Sequence, residues 1–371
     1  MSDILRKDRI NWVDAARGIT IIFVLLAHYP LEFAGRPAYF ALGFSVQMFF
    51  FISGCLFMQK NISVFDYAKK QFFRLLVPYG IFALLNTAVY GLFNRSLGVK
   101  AIINILFDFV IAKRNSLICA PMWFLPCLFF VSVLYKILKD ILKKNLYIIP
   151  VCFIISAVFK MFFEEPILPW SINHGLKYLI YFALGNAIFP YIKNIDIKTF
   201  SKNKTVFTVT TVFSAYGILL YFQKPLFSPS SLPLICLTVF INALCCISLN
   251  VLISVVLSSF APLREIGKNT LGFCCGESIS RAVLNTLFVF SPFKIAAVSP
   301  ATTLIYNFLA MAVSYFIIIL PFNRFFPAAM GKRRSNSFNN ISLTITKYPD
   351  TFCVGVFLLF IFSAVFCIIA L

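Results

Sequence analysis

Histidine occurs only twice in this chain, and 13 acidic residues stand against 33 lysines and arginines. The 11 cysteines form no CxxC motif and no His-Cys grouping at metal-ligand spacing, only the adjacent pairs Cys245-Cys246 and Cys274-Cys275. No bound metal is therefore expected, and the cysteines read as small buried hydrophobes. No ten-residue alternating segments mark an outer-membrane barrel. No internal repeat supplies the paired halves of a transporter. Proline-containing loops such as Glu164-Glu165-Pro166 and 223–231 are too short for a soluble domain. The first apolar run carries Arg17 and lacks a short core followed by a small-residue cleavage site, so it reads as a retained span rather than a signal peptide. Lipidation and retention motifs are also missing.

What the chain has is apolar length. Of its 371 residues 60% are hydrophobic and 12% charged, and several uninterrupted apolar runs reach the roughly 18 residues that span a bilayer. The expected fold is all-α, a polytopic transmembrane bundle of ten core helices plus one C-terminal helix. The 46 Phe and 15 Tyr suit lipid-facing helices with aromatic belts. Spans are expected at 12–31, 39–58, 75–93, 117–138, 146–163, 174–192, 206–222, 232–256, 270–291, 300–320 and 352–371. The stretch 101–112 is too brief to cross and reads as interfacial or re-entrant. Residues 1–327 would form the membrane domain, 328–351 a basic cytoplasmic linker and 352–371 the additional helix.

A net charge of +20 would point to nucleic acid in a soluble protein. Here the positive-inside rule accounts for it, and no nucleic-acid partner is expected. With a cytoplasmic amino terminus, twenty-two of the 33 cations fall on the inner side and nine on the outer, leaving Arg17 and Arg281 within spans.

Ionisable groups inside a bilayer are costly unless paired or facing a wet cavity, which makes them functional suspects. Arg17 and His28 share the first span. Eleven helical steps turn about 1100° and rise roughly 16 Å, so both side chains face the same way. Asp14 is three residues before Arg17, and a structural ion pair between them is the plainer alternative. A guanidinium also binds phosphates in a two-pronged fashion, and near the inner boundary Arg17 could meet a phosphorylated cofactor. Lys69, Lys70 and Arg74 lie on the same side, where ordinary positive-inside residues are also expected. Imidazole is suited to proton transfer near neutral pH, and His28 is placed deeper, where it could either deprotonate an acceptor hydroxyl or briefly carry a transferred group itself. His174 sits in Trp170-Ser-Ile-Asn-His174-Gly, a plausible interfacial belt. Glu277 and Arg281 are four apart in one span and read first as an ion pair. Ser53-Gly54 permits close helix packing, and a nucleophilic serine would need a base beside it.

Several motifs in sequence order resemble the acyltransferase-3 family of bacterial integral-membrane O-acyltransferases, particularly the branch related to fucose 4-O-acetylase. They are Trp12-Val-Asp14-Ala-Ala-Arg17-Gly18 with its Arg-x10-His spacing, Phe50-Phe-Ile-Ser53-Gly54-Cys-Leu56, Arg74-Leu-Leu-Val-Pro78-Tyr79, Met122-Trp123-Phe124-Leu125, Lys177-Tyr-Leu-Ile-Tyr-Phe-Ala-Leu-Gly185 and Ile266-Gly267-Lys268-Asn269-Thr270-Leu271. The resemblance covers roughly residues 9 to 325. It implies transfer of an acyl group, usually acetyl from cytoplasmic acetyl-CoA, to a sugar hydroxyl of a surface polysaccharide or its lipid-linked precursor, in the bacterial cytoplasmic membrane. By this resemblance His28 and Arg17 match the essential histidine and arginine, with Asp14 beside them. Arg74, with Lys70, would hold the coenzyme. His174, Glu277, Trp123 and Ser53 are candidates for binding the acceptor. Family members often carry a histidine where Glu277 stands, a departure in this chain. A polysaccharide or lipid-linked-sugar transporter is the alternative, and it gives no reason for the Arg-x10-His spacing.

Overall fold

The computed structural model describes residues 9–28, 44–58, 62–94, 98–195, 204–221, 231–289 and 300–332. Among these there is no strand, in keeping with a bilayer interior where each backbone polar group must be satisfied within its own segment. The helices are α1 (Asn11–Ala27), α2 (Phe44–Cys55), α3 (Val64–Phe93), α4 (Val99–Ile111), α5 (Phe124–Leu142), α6 (Asn145–Phe162), α7 (Ile172–Ile192), α8 (Lys204–Tyr221), α9 (Leu232–Val256), α10 (Ala261–Lys268), α11 (Thr270–Val289) and α12 (Pro300–Ser314, running on through Leu320–Phe325). Among the described residues there are twelve helices, where ten core helices were expected. The short α10 was not anticipated, and the stretch expected at 101–112 is the separate helix α4. The expected last helix and nearly all of the linker lie outside the described residues.

Among the described residues five segments are long and apolar enough to cross a membrane: Val64–Phe93, Ala120–Leu142, Asn145–Phe162, Leu232–Ser259 and Thr302–Phe325. The protein is a multi-pass membrane protein. Helices α1 and α2 are too short for that measure, and several core helices carry polar residues that build the interior. Examples are Asp14 and Arg17 in α1, His174, Lys177 and Asn186 in α7, and Glu277 and Arg281 in α11.

Local chemistry explains where α3 begins and bends. Ser63 caps its first turn, its hydroxyl accepting from the Asp66 amide at 3.0 Å. Pro78 has no N–H to offer the carbonyl four residues back, that of Arg74, and the chain widens into a π turn over Phe72–Leu76. The same pairing recurs in α12, where the π turn Tyr315–Ile319 precedes Pro321.

Close approach requires glycine at two contacts. A Cβ on Gly267 of α10 would run into the Asp14 backbone carbonyl of α1, and Gly54 of α2 and Gly185 of α7 each face a backbone carbonyl of the other helix. Helix α1 is further tied by Trp12, whose indole N–H donates to the Lys193 carbonyl at 3.2 Å, and by Asn250 of α9, whose amide donates to the Thr20 hydroxyl at 3.3 Å. These ties fix the helix that carries both Arg17 and His28. The nine described cysteines are all free thiols, and every one but Cys236 is buried.

Candidate active site

A cavity of about 610 Å³ follows α1 from Arg17 to His28 and also takes in Arg9, before the helix. At the amino-terminal end of α1 it is lined by six cations, Arg9, Arg17, Lys70, Arg74, Lys268 and Lys332. Its middle is apolar and aromatic, with Phe49, Phe57, Phe124, Tyr178 and Phe182. At the carboxyl-terminal end of α1 its wall includes His28, Arg114, Asn115 and Trp123. Ser53 also lines it.

Arg17 is half-buried and donates from Nη2 to the Thr270 hydroxyl at 3.0 Å. Asp14 takes no part in that contact. Its carboxylate faces Arg9 at 3.8 Å, so the ion pair considered between Asp14 and Arg17 is replaced by one with Arg9. The π turn carries Arg74 to the same mouth, and Lys70 is one helical turn before it. Lys332 lies just beyond the short helical turn Pro327–Met330, its ammonium donating to the side-chain oxygens of Asn269 at 3.1 Å and Asn323 at 2.6 Å. Burial pulls its pKa from the ordinary lysine range to about 8.

His28 is the residue on which α1 ends. Its Nδ1 stands 2.6 Å from the Val24 carbonyl. A carbonyl only accepts, so Nδ1 carries the hydrogen, and in the neutral ring Nε2 is the basic nitrogen. Trp123, at 5% exposure, has the Arg114 guanidinium 5.4 Å above its ring and the His174 ring edge-on at 5.9 Å.

The acceptor-binding candidates are divided by this arrangement. Ser53 and Trp123 line the cavity, whereas His174 and Glu277 do not. His174 is buried behind Trp123, with Nδ1 3.4 Å from Asn173 Oδ1. Glu277 is buried and pairs with Arg281. Beside His174, Glu164 bridges Lys160 and Lys177, each at 3.0 Å. Burial raises the Glu164 carboxyl, but the hydrogen bonds from the two lysines prevail and hold it at about 2. Cavity residues to which the sequence assigned no role include Arg9, Arg114, Tyr178, Lys268, Thr270 and Lys332. Thr270 and Arg17 are 253 positions apart, a separation at which no local pattern signals contact.

In this helical membrane protein one cavity joins a basic mouth to an imidazole, and comparison with known families gives its class. The acyltransferase-3 family, described as an acyltransferase domain, matches residues 10–275, more than half of the chain. The chain belongs to this family and is a membrane acyltransferase. No curated protein and no solved structure matches it.

Proposed function

We propose that this acyltransferase takes an acetyl group from cytoplasmic acetyl-CoA and delivers it to a hydroxyl of a sugar in a surface polysaccharide or its lipid-linked precursor. The protein would sit in a bacterial cytoplasmic membrane with its amino terminus inside, in the branch related to fucose 4-O-acetylase. One observation carries the reading: the cation-lined mouth and His28 belong to one cavity. Coenzyme A has phosphates at one end and a thiol at the end of a long narrow arm. Arg17, Arg74 and Lys70, joined by Lys268 and Lys332, suit the phosphates. The roughly 16 Å of helix between Arg17 and His28 is a distance the pantetheine arm covers.

In the reaction His28 Nε2 accepts the proton of the acceptor hydroxyl as that oxygen attacks the thioester carbonyl. A C–O bond forms and the C–S bond breaks. The imidazolium returns its proton to the departing thiolate, leaving the ester and free coenzyme A. Trp123 and Ser53 flank the acceptor's place in the cavity, and Asp14 anchors Arg9 at the mouth. Replacing His28 with Ala should abolish the mass increment of about 42 Da per sugar repeat while leaving the protein in the membrane at its usual level. Undiminished acetylation in that variant would refute the proposal.

A further inference from the structure

Behind α1, on the side away from the coenzyme mouth, α11 carries Glu277 and Arg281 one helical turn apart. Neither lines the cavity. Arg281 uses both ends of its fork. Nη2 pairs with the Glu277 carboxylate, and Nη1 donates to the backbone carbonyl of His28 at 3.2 Å. His28 closes α1, and the last four carbonyls of a helix have no donor of their own. A guanidinium serving only to neutralise Glu277 has no need to reach the peptide group of the one residue whose imidazole lines the cavity. The ring of His28 is already held to Val24 through Nδ1. With the carbonyl held as well, backbone and side chain are fixed by separate bonds from separate helices. The Glu277 side chain is only 5% exposed, so it has little alternative to holding Arg281 in this pose.

We propose that Arg281, held by Glu277, is a positioning residue that pins the end of α1 and so aims the His28 imidazole at the reacting atoms. This rests on the acyl-transfer reading for what His28 does, but not for where it points. Two readouts in membranes carrying the full chain test it. The first is acetyl transfer from labelled acetyl-CoA to polymer. Arg281→Gln should lower kcat by about a hundredfold, the effect of a displacement of around 1 Å at a reacting group. Its KM for acetyl-CoA should stay within a factor of about two, and Arg281→Lys should recover part of kcat. The second readout is the rate at which diethyl pyrocarbonate modifies each histidine, followed peptide by peptide. Modification of His28 should change in rate while that of His174 does not.

The pair variant Glu277→Leu/Arg281→Leu removes both charges and leaves no buried ion alone, so it separates positioning from failure to fold. It should reproduce the kcat loss and the altered His28 reactivity. Wild-type kcat and wild-type His28 modification in this variant would overturn the proposal. If the wild-type protein transfers no acetyl group, the acyl-transfer reading falls, and the modification rates alone decide whether Arg281 fixes His28.

Discussion

Arg17 bonds a neutral hydroxyl rather than a carboxylate, so its full charge is available to the cavity it lines. A charge-assisted hydrogen bond to phosphate contributes about 1.5–3 kcal/mol, and every 1.4 kcal/mol is about tenfold in affinity. Arg17→Gln should therefore raise KM for acetyl-CoA by roughly 10- to 100-fold. Arg17→Lys should recover only part of that, because the ammonium lacks the two-pronged fork. Initial rates against acetyl-CoA concentration measure both. Lys332 gives the same mouth a pH dependence. Its pKa of about 8 means the ammonium is present below that pH and lost above it. KM for acetyl-CoA should climb as pH rises through about 8, and Lys332→Arg should flatten the profile. A profile that is unchanged in Lys332→Arg would remove Lys332 from the coenzyme site. The common facing of Arg17 and His28 was legible because both lie on one helix, where spacing alone fixes direction. Thr270 and Lys332 come from distant segments, and only the folded chain brings them to the mouth.

At the level of helices, the sequence identifies apolar segments better than it identifies where they bend. The run beginning near position 75 was legible as a span, but α3 starts at Val64 because Ser63 caps an amphipathic first turn that hydropathy alone does not mark. Pro78 was visible, yet its consequence, a π turn that brings Arg74 to the cavity, depends on how the neighbouring helices hold the chain. Helix α10 is too short and too polar to register as a span, although its Gly267 sets the approach of α1. That contact makes a clear prediction. Gly267→Ala places a methyl group against the Asp14 carbonyl, and overpacking of this kind costs about 1–3 kcal/mol. The thermal midpoint of the solubilised protein should fall, and acetyl transfer should fall with it because α1 carries both ends of the reaction path. An equivalent change at Gly80, where a Cβ would meet nothing within 4 Å, should leave the midpoint in place.

For the molecule as a whole, charge and cavity set one direction. Six cations line the mouth at the amino-terminal end of α1, and on the proposed topology, with twenty-two cations inside and nine outside, that end would face the cytoplasm. On the proposed function the coenzyme comes from inside the cell, while the acceptor of a surface polymer is reached from the outer half. The mechanism therefore requires the His28 end of α1 to face outward. Ser116, next to Asn115 of the cavity wall, and Lys144, between α5 and α6, are both exposed and stand at opposite ends of α5. In intact cells a membrane-impermeant maleimide should label Ser116→Cys, whereas Lys144→Cys should react only after lysis. The native thiols are a weak background, since nearly all the described ones are buried. The reverse labelling pattern would put the basic mouth outside, away from the coenzyme supply, and no arrangement of Arg17 and His28 within the cavity would then rescue cytoplasmic acetyl-CoA as the donor.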